Sequence, residues 1–412
     1  MSAIAIPSRL SACLIAAGLL LLAANGTLWA EPPLPTNRSA ARVNPGQPTE
    51  AECKKWGKAL EAAVRKDDLE GFNELVDWNR LVDTATGVAG ASPGLAAKRA
   101  AFIHGVMGSL RSNSTSFGAK IAAEAKFGSY KLLRVQLVDG RRRAVFRLLT
   151  GAGALNYHGF FFDPVPGKPL RAIDCYVFLM GEPLTKVLRR SFLPYVALDR
   201  SGMSHLTTAD KDVVTHPAEM LELAQLINAK KFTEALNRYK RLPPSMQKSK
   251  SMLALRLQAA QRTSEEEYLQ AIDTFRKEYP GDVMIDLISL DAYVLRQQLD
   301  QALEALDRID KAVGGDPYLK TLHAVILTKE GQPGPAQKFA EQAVTEEPTL
   351  LNAHNFLLTL SIQNGDFDTT LRELGTLETQ FGIKFRDLAT VPSFAEFVAS
   401  PQYQIWLKSH AK

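Results

Sequence analysis

A small residue recurs through the second half of the chain at intervals close to 34 residues. The recurring residues are Ala235, Ala271, Ala302, Ala336 and Thr370, and the intervals between these positions are 36, 31, 34 and 34 residues. A small side chain lets two helix axes approach closely where they cross, and such a period is typical of stacked helix–turn–helix units. Because one helical hairpin cannot bury its apolar face alone, the pattern predicts a stack of about five hairpins over residues 216–385.

The surroundings of these small residues resemble the tetratricopeptide repeat. An aromatic or large apolar residue precedes the small one by three positions in four units, and a proline closes three units. These residues are Phe232, Tyr268, Leu299 and Phe367, and the prolines are Pro280, Pro317 and Pro348. The match is best in the last two units, since the turn glycine is replaced by Lys230 in the first unit and by Glu266 in the second. An unrelated set of helical hairpins is the alternative.

The resemblance implies a concave groove that accepts an extended or helical peptide segment. It places the groove-lining side chains on the first helix of each unit, and in the better units these are Asp291, Val294, Tyr318, Thr321, Val325, Asn352 and Asn355. Residues 386–412 follow the repeats, and their large apolar side chains include Phe394, Phe397, Tyr403, Ile405 and Trp406. They are predicted to form capping helices that cover the open end of the last unit.

Between residues 51 and 195 the apolar pattern predicts helices followed by strands. Cys53, Trp56, Leu60 and Val64 recur at helical spacing, and further helices are predicted around residues 69–78, 95–110 and 183–192. Four extended segments lie between the last two of these, at 130–138, 142–150, 155–163 and 170–180. The turns between the strands are short, so neighbouring strands are predicted to be antiparallel.

This order of elements resembles the nuclear transport factor 2-like fold, also called the cystatin-like cone. The sequence therefore predicts an α+β N-terminal domain over residues 51–195, a polar connector over 196–215 and an all-α tetratricopeptide-type solenoid. Folds of this type often use the concave face of the sheet as a pocket, and the resemblance makes His158, Asp174 and Tyr176 candidate pocket residues. Cross-strand pairs or rim positions are the alternative for these three.

The first thirty residues predict a targeting segment. Arg9 precedes an apolar run from Leu10 to Ala24, and small residues follow, which is the outline of a cleaved signal peptide. An uncleaved membrane anchor over residues 10–30 is the alternative. Residues 31–50 contain five prolines and are predicted to be a semi-extended linker.

Export to the periplasm or to the exterior follows from a signal peptide and sets the redox environment. In an oxidising compartment Cys53 and Cys175 could pair, and two buried free thiols are the alternative. Residues 31–215 carry 26 Lys and Arg against 18 Asp and Glu, a net charge of +8. Residues 216–412 carry 22 against 26, a net charge of −4. Since the excess of basic residues is spread over a long segment, no nucleic-acid partner is predicted.

Motifs that carry catalysis are missing from the sequence. It contains no GxSxG, no HExxH and no phosphate-binding loop, and its seven histidines lie at no metal-ligand spacing. No catalytic residue, metal or cofactor is therefore predicted. The main hypothesis is an exported, non-catalytic scaffold that binds a protein or peptide partner through its helical repeats. The alternative is a small-molecule binder or enzyme that uses the N-terminal pocket, and peripheral membrane association and self-association stay open.

Overall fold

The computed structural model describes residue 44 and residues 46–88, 92–111, 116–197 and 217–410. The predicted signal segment, most of the predicted linker and most of the predicted connector lie outside the described residues. The chain divides into two compact units between Ala292 and Tyr293. This division falls inside the helical half of the chain, so the first unit contains both the sheet and the first helical hairpins.

Six helices of the described chain flank the sheet in sequence, where four were predicted. They are α1 (Glu50–Arg65), α2 (Leu69–Glu74), α3 (Trp78–Thr86), α4 (Pro93–Arg111), α5 (Phe117–Ala125) and α6 (Leu184–Ala197). Helix α1 begins at a capping box, in which the side chains of Thr49 and Glu52 each accept a hydrogen bond from the other residue's N–H. The single helix predicted over 69–78 is interrupted because Val76 forms a parallel bridge with Ala172. Helix α5 was not predicted.

Five strands form one antiparallel sheet in the order β1–β2–β3–β4–β5. The strands are β1 (Ser129–Val138), β2 (Arg141–Leu149), β3 (Leu155–Phe162), β4 (Ala172–Val177) and β5 (Glu182–Pro183). The first four confirm the predicted meander, and the two-residue β5 is an addition. A 3-10 turn over Phe178–Met180 links β4 to β5.

One face of the sheet packs against α1, and Trp56 of this helix contacts three phenylalanine rings of the sheet. The Trp56 ring centroid lies 6.1, 5.3 and 4.8 Å from the ring centroids of Phe146, Phe160 and Phe162. Its indole N–H donates to the Leu75 carbonyl at 3.0 Å, which satisfies the one polar group of a buried ring. All four residues of the predicted apolar stripe of α1 belong to the buried cluster that contains these rings.

The helical half of the described chain contains no strand. Its helices are α7 (Pro217–Asn228), α8 (Phe232–Lys240), α9 (Pro244–Gln247), α10 (Lys250–Gln261), α11 (Glu265–Glu278), α12 (Val283–Leu295), α13 (Leu299–Val313), α14 (Pro317–Lys329), α15 (Pro333–Glu346), α16 (Leu351–Gln363), α17 (Phe367–Phe381), α18 (Ala395–Val398) and α19 (Pro401–His410). An α+β N-terminal part followed by an all-α part is thereby confirmed.

Successive hairpins pack in the same way within each unit. In the first unit, α7 contacts both α8 and α10, and α8 contacts α10. In the second unit, α14 contacts both α15 and α16, and α15 contacts α16. The first helix of a hairpin thus packs on its own second helix and on the first helix of the next hairpin.

The sheet and the first hairpins belong to one compact unit, and a lysine joins them. Lys250 donates to the Gly181 carbonyl at 3.3 Å and pairs with Asp282 at 2.5 Å. Gly181 has a φ of +66°, and a Cβ added there would lie 3.2 Å from the Met284 Cβ. Glycine therefore suits both the turn and the close approach. Leu179 of the same turn packs into the apolar cluster of the hairpins.

The five recurring small residues are all buried at helix crossings. Ala235, Ala302, Ala336 and Thr370 are 0% exposed and Ala271 is 1% exposed. Each lies on the second helix of its hairpin, on α8, α11, α13, α15 or α17. The Thr370 hydroxyl is hydrogen-bonded to Ser361 Oγ at 2.9 Å, so the one polar member of the set is satisfied.

The turns of four hairpins share a left-handed residue five positions before the small residue. Lys230, Gln297, Gly331 and Gly365 have φ values of 59°, 56°, 72° and 71°. The second hairpin differs, because α11 begins three residues earlier relative to its small residue and Glu266 lies inside the helix. The two glycines suit the left-handed conformation, whereas a side chain there costs about 1–2 kcal/mol.

The C-terminal segment packs on the last hairpin. Phe394, Phe397, Tyr403 and Trp406 are buried in a cluster with side chains of α16 and α17. Ile405 is 57% exposed, so it lies on the outer side of α19.

A buried histidine–glutamate pair connects the two helices of the last hairpin. His354 Nδ1 lies 2.6 Å from the Glu373 carboxylate, and His354 Nε2 lies 2.9 Å from the Pro348 carbonyl. Burial lowers the pKa of His354, but the hydrogen bonds to Glu373 and Pro348 outweigh it, and the pKa is raised. Both ring nitrogens face acceptors, which favours the protonated ring.

Glycine at the left-handed turn position is expected to stabilise the chain where a side chain now stands. Gln297→Gly relieves backbone strain and should raise the free energy of unfolding by roughly 0.5 kcal/mol, since the relief exceeds the entropy cost of glycine. Glu266→Gly at the equivalent position should lower it by about 1 kcal/mol, because that residue lies inside a helix. Urea denaturation followed by circular dichroism measures both. Equal signs for the two variants would contradict the assignment of the turns.

The last hairpin is expected to lose stability as the pH rises. Folding raises the pKa of His354, so the protonated ring stabilises the folded state. This contribution to the free energy of unfolding is complete below the pKa that His354 has in the unfolded chain, and it is lost as the pH rises past the higher pKa of the folded chain. His354→Gln should cost roughly 2 kcal/mol at pH 6 and much less at pH 8.5, since a hydrogen bond to a charged group is lost only where the charge exists. Thermal unfolding at both pH values measures this. His104→Gln, at an exposed position of α4, is the control and should show no such difference.

Candidate functional site

A cavity lies between helices α4, α5 and α6 and the sheet face that they cover. The centre of a water molecule can reach about 50 Å³ of it, and its whole empty space, mouth included, is about 760 Å³. Its wall is mostly apolar and includes Val106, Leu110, Phe117, Ile121, Leu184 and Leu188. Its floor is polar and is formed by Asn156 and His158 of β3.

The floor of the cavity is a chain of three hydrogen-bonded side chains. Asn156 Nδ2 lies 3.3 Å from His158 Nε2, and His158 Nδ1 lies 3.2 Å from the Tyr130 hydroxyl. The Asn156 Oδ1 accepts hydrogen bonds from the N–H groups of Tyr157 at 2.8 Å and of Leu179 at 3.2 Å. These two backbone donors determine which end of the carboxamide is oxygen, so Nδ2 is the atom that faces the histidine.

The orientation of Asn156 determines the tautomer of His158. The Asn156 N–H donates to His158 Nε2, which must then carry a lone pair, so the proton of a neutral ring is on Nδ1. His158 Nδ1–H donates in turn to the Tyr130 oxygen. Burial lowers the pKa of His158 to about 3, which agrees with a neutral ring. A group with so low a pKa is a weak base at neutral pH, so this geometry gives no support to a general-base role for His158.

The cavity wall contains one charged pair and two hydroxyls. Lys120 and Glu124 lie one turn apart on α5, where burial lowers the pKa of Lys120 and raises that of Glu124, each opposed by the charge of the other. Ser109 donates to the Gly105 carbonyl at 3.3 Å, and Ser191 donates in the same way within α6. The formal charges at this wall therefore cancel, and both hydroxyl protons are used.

Only one of the three candidate pocket residues lines this cavity. His158 does so, whereas Asp174 is paired across the sheet with Phe161, and Tyr176 with Gly159. Side chains alternate along β3, so Asp174 and Tyr176 lie on the opposite face from His158. The three residues do not form one pocket.

Asp174 holds the start of α6 in place. Its Oδ1 accepts hydrogen bonds from the N–H groups of Cys175 at 2.8 Å and of Thr185 at 3.1 Å, and its Oδ2 accepts one from the Thr185 hydroxyl at 2.5 Å. Burial raises the pKa of Asp174, and the hydrogen bonds from Thr185 and Cys175 act against it. Its carboxylate is thus occupied by the chain itself.

The opposite face of the sheet is also covered and contains a buried arginine. The Arg143 side chain lies over Gly159, where an added Cβ would be 2.7 Å from it. Its guanidinium donates to the Gln136 side chain at 2.6 Å and lies 5.4 Å from the Phe178 ring centroid. Burial lowers its pKa to about 10. Arg143 is thus held by residues of the chain on this face of the sheet.

The structure places the candidate groove residues at very different depths. Tyr318 and Thr321 are 5% and 4% exposed, because α14 is packed by α13, α15 and α16. Val294, Val325 and Asn355 are half-buried, and Asn352 is exposed. Asp291 is half-buried, lies in the first unit, and has its pKa raised to about 7 by burial. Tyr318 and Thr321 are therefore not part of an open surface.

The sequence analysis did not include several residues of the cavity. Lys120, Ile121 and Glu124 belong to α5, and the signal for this helix was the spacing of Phe117, Ile121 and Ala125 at four residues. Alternation along β3 places Asn156 on the same face as His158, but its hydrogen bonds to the backbone could not be read from alternation.

Cys53 and Cys175 are free thiols in the buried core. Burial raises the pKa of Cys53 to about 11 and raises that of Cys175 as well, which makes both poor nucleophiles. Within the described residues, no group of three His, Cys, Asp or Glu side chains is arranged to hold a metal ion. Over the same part of the chain, no helix has both the length and the apolar character needed to cross a bilayer.

No family model matches the chain, and no curated protein is similar to it.

His158 is expected to stay neutral well below the usual pKa of a histidine. The ¹⁵N resonances of its ring should report a proton on Nδ1 and no titration from pH 8 down to pH 5, because burial and the Asn156 donor both oppose protonation. His158→Gln identifies the signal by its disappearance. A titration midpoint between pH 5 and pH 7, or a proton on Nε2, would show that the floor of the cavity is arranged differently.

Proposed function

We propose that the protein is a non-catalytic scaffold that binds a peptide segment of a protein partner through the helical hairpins of its second unit. The observation that carries the proposal is a pair of asparagines on α16, of which Asn352 is exposed and Asn355 is half-buried. Asn352 and Asn355 lie one turn apart there, and neither carboxamide is hydrogen-bonded within the described residues. A carboxamide offers both a donor and an acceptor, which are the two groups that an extended peptide backbone presents.

The packing of the hairpins supports this surface. The buried small residues let α14 and α15, and α16 and α17, approach closely, so the first helices lie side by side. Val325 on α14 is half-buried and adds apolar surface on a helix that contacts α16. We place the tetratricopeptide-type groove at Val325, Asn352 and Asn355, without Tyr318 and Thr321. We also propose that the sheet part has the nuclear transport factor 2-like fold, on the order of its helices and strands.

We also propose that the protein acts outside the cytoplasm. This rests on the apolar run and small residues within residues 1–30, which lie outside the described part of the chain. A signal peptide leaves the scaffold free, and an anchor over residues 10–30 holds it at a membrane. Whether protomers associate with one another is a separate matter that this proposal does not require.

Replacing both asparagines is expected to remove the partner. Affinity capture from the native host with the full-length chain should recover a protein that Asn352→Ala/Asn355→Ala recovers at least tenfold less well, since about 1.4 kcal/mol of binding energy corresponds to that factor. Asn237→Ala is the matched control, because Asn237 is an exposed asparagine on a second helix. Melting temperatures of all variants should agree.

Two results would contradict the proposal. Undiminished recovery by the double variant would exclude this face, and an equal loss with Asn237→Ala would mean that the effect is not specific to the first helices.

A further inference from the structure

The geometry points to a second binding site in the first unit, beyond the proposed partner surface. We infer that the cavity between α4, α5, α6 and the sheet binds an uncharged small molecule with an apolar body and one hydrogen-bond-accepting oxygen directed at Asn156. The groups that line this cavity and their spare hydrogen-bonding capacity define the ligand, and the helical hairpins of the second unit take no part in it.

The donor for the ligand is a single unused N–H. Asn156 is 3% exposed, and its Nδ2 carries two protons, of which one is donated to His158 Nε2. The structure gives the second proton no acceptor within the described residues, although Asn156 lines the cavity. A buried donor without a partner costs about 1–3 kcal/mol, which a ligand oxygen would recover.

Of the two floor residues that line the cavity, His158 has no free donor or acceptor to offer a ligand. The Asn156 oxygen already accepts two backbone hydrogen bonds, His158 Nε2 already accepts one, and His158 Nδ1 donates to Tyr130. A lone water needs two to four polar partners to be held. The floor supplies one free donor, and most of the wall around it is apolar. An organic molecule that is mostly apolar fits these surroundings better than water does.

The charges of the site favour a neutral ligand. The floor is uncharged because His158 is neutral, and an ion placed there would lose its hydration without gaining a counter-ion. Lys120 and Glu124 are of opposite sign and share one helix face. A carboxylate ligand would meet Glu124, and an ammonium ligand would meet Lys120, so neither charge is preferred.

The volume limits the size of the buried part. An apolar cavity of about 150 Å³ holds a benzene ring, and the room for water centres here is about 50 Å³. A ligand therefore places a few heavy atoms inside, and any larger part lies in the mouth. A five-membered ring with one exocyclic atom is a suitable probe.

Three probes of equal size test the inference on the full-length protein. Cyclopentanone has the acceptor oxygen, methylenecyclopentane has a carbon at that position, and cyclopentylammonium has a charged donor. Titrations followed by the ¹³C methyl resonances of Val106, Ile121 and Leu188 should show binding of the ketone, roughly five- to tenfold weaker binding of the alkene, and no shifts with the ammonium ion.

A pair of phenylalanine variants locates the binding. Val106→Phe fills the cavity and should abolish the shifts that cyclopentanone causes at Ile121 and Leu188. His104→Phe adds the same ring to the exposed side of the same helix and should leave them unchanged.

Each remaining outcome overturns a defined part of the inference. Absence of shifts with the ketone, or shifts that persist in Val106→Phe, would exclude the cavity as the site. Equal affinity for ketone and alkene would exclude the role of Asn156, and binding of the ammonium ion as tight as that of the ketone would exclude an uncharged ligand.

Discussion

The hydrogen bonds of the Asn156 carboxamide determine how the interior of the first unit is arranged around His158. Its oxygen accepts from Tyr157 in its own strand and from Leu179 in the following turn, so it joins β3 to the segment that leads into α6. The same contacts turn its nitrogen towards His158, which makes that ring a neutral donor to Tyr130. A histidine can lie buried under three helices only because this network satisfies both of its nitrogens.

The turn that Asn156 holds also contacts the neighbouring hairpins. The turn that contains Leu179 ends at Gly181, whose carbonyl accepts from Lys250, and Leu179 itself packs among the hairpin helices. The sheet and the first hairpins therefore form one compact unit, which ends at Ala292. The early hairpins depart from the regular repeat pattern, and their helices also contact the turn that follows β4.

Much of the fold followed from periodicity, and the site followed only in part. Alternation along β3 places Asn156 and His158 on one face, but it could not say which residues of β4 share that face. That depends on the register, which pairs Asp174 with Phe161 and so places Asp174 on the other face of the sheet from His158. Similarly, a period near 34 residues located the small residues at helix crossings, whereas the burial of Tyr318 and Thr321 depends on how closely α14 is packed by its neighbours. The left-handed turns at Lys230 and Gln297 gave no signal, since neither residue favours that conformation.

The proposed ligand site depends on an apolar cavity with a neutral floor between α4, α5, α6 and the sheet. The most direct measurement is a crystal structure of the full-length protein under xenon pressure, since xenon enters apolar cavities without any polar contact. The account predicts xenon density bounded by Phe117, Ile121 and Leu188, with the Asn156 oxygen still directed at the N–H groups of Tyr157 and Leu179. Side chains or ordered water filling this space, with no xenon in it, would contradict the account.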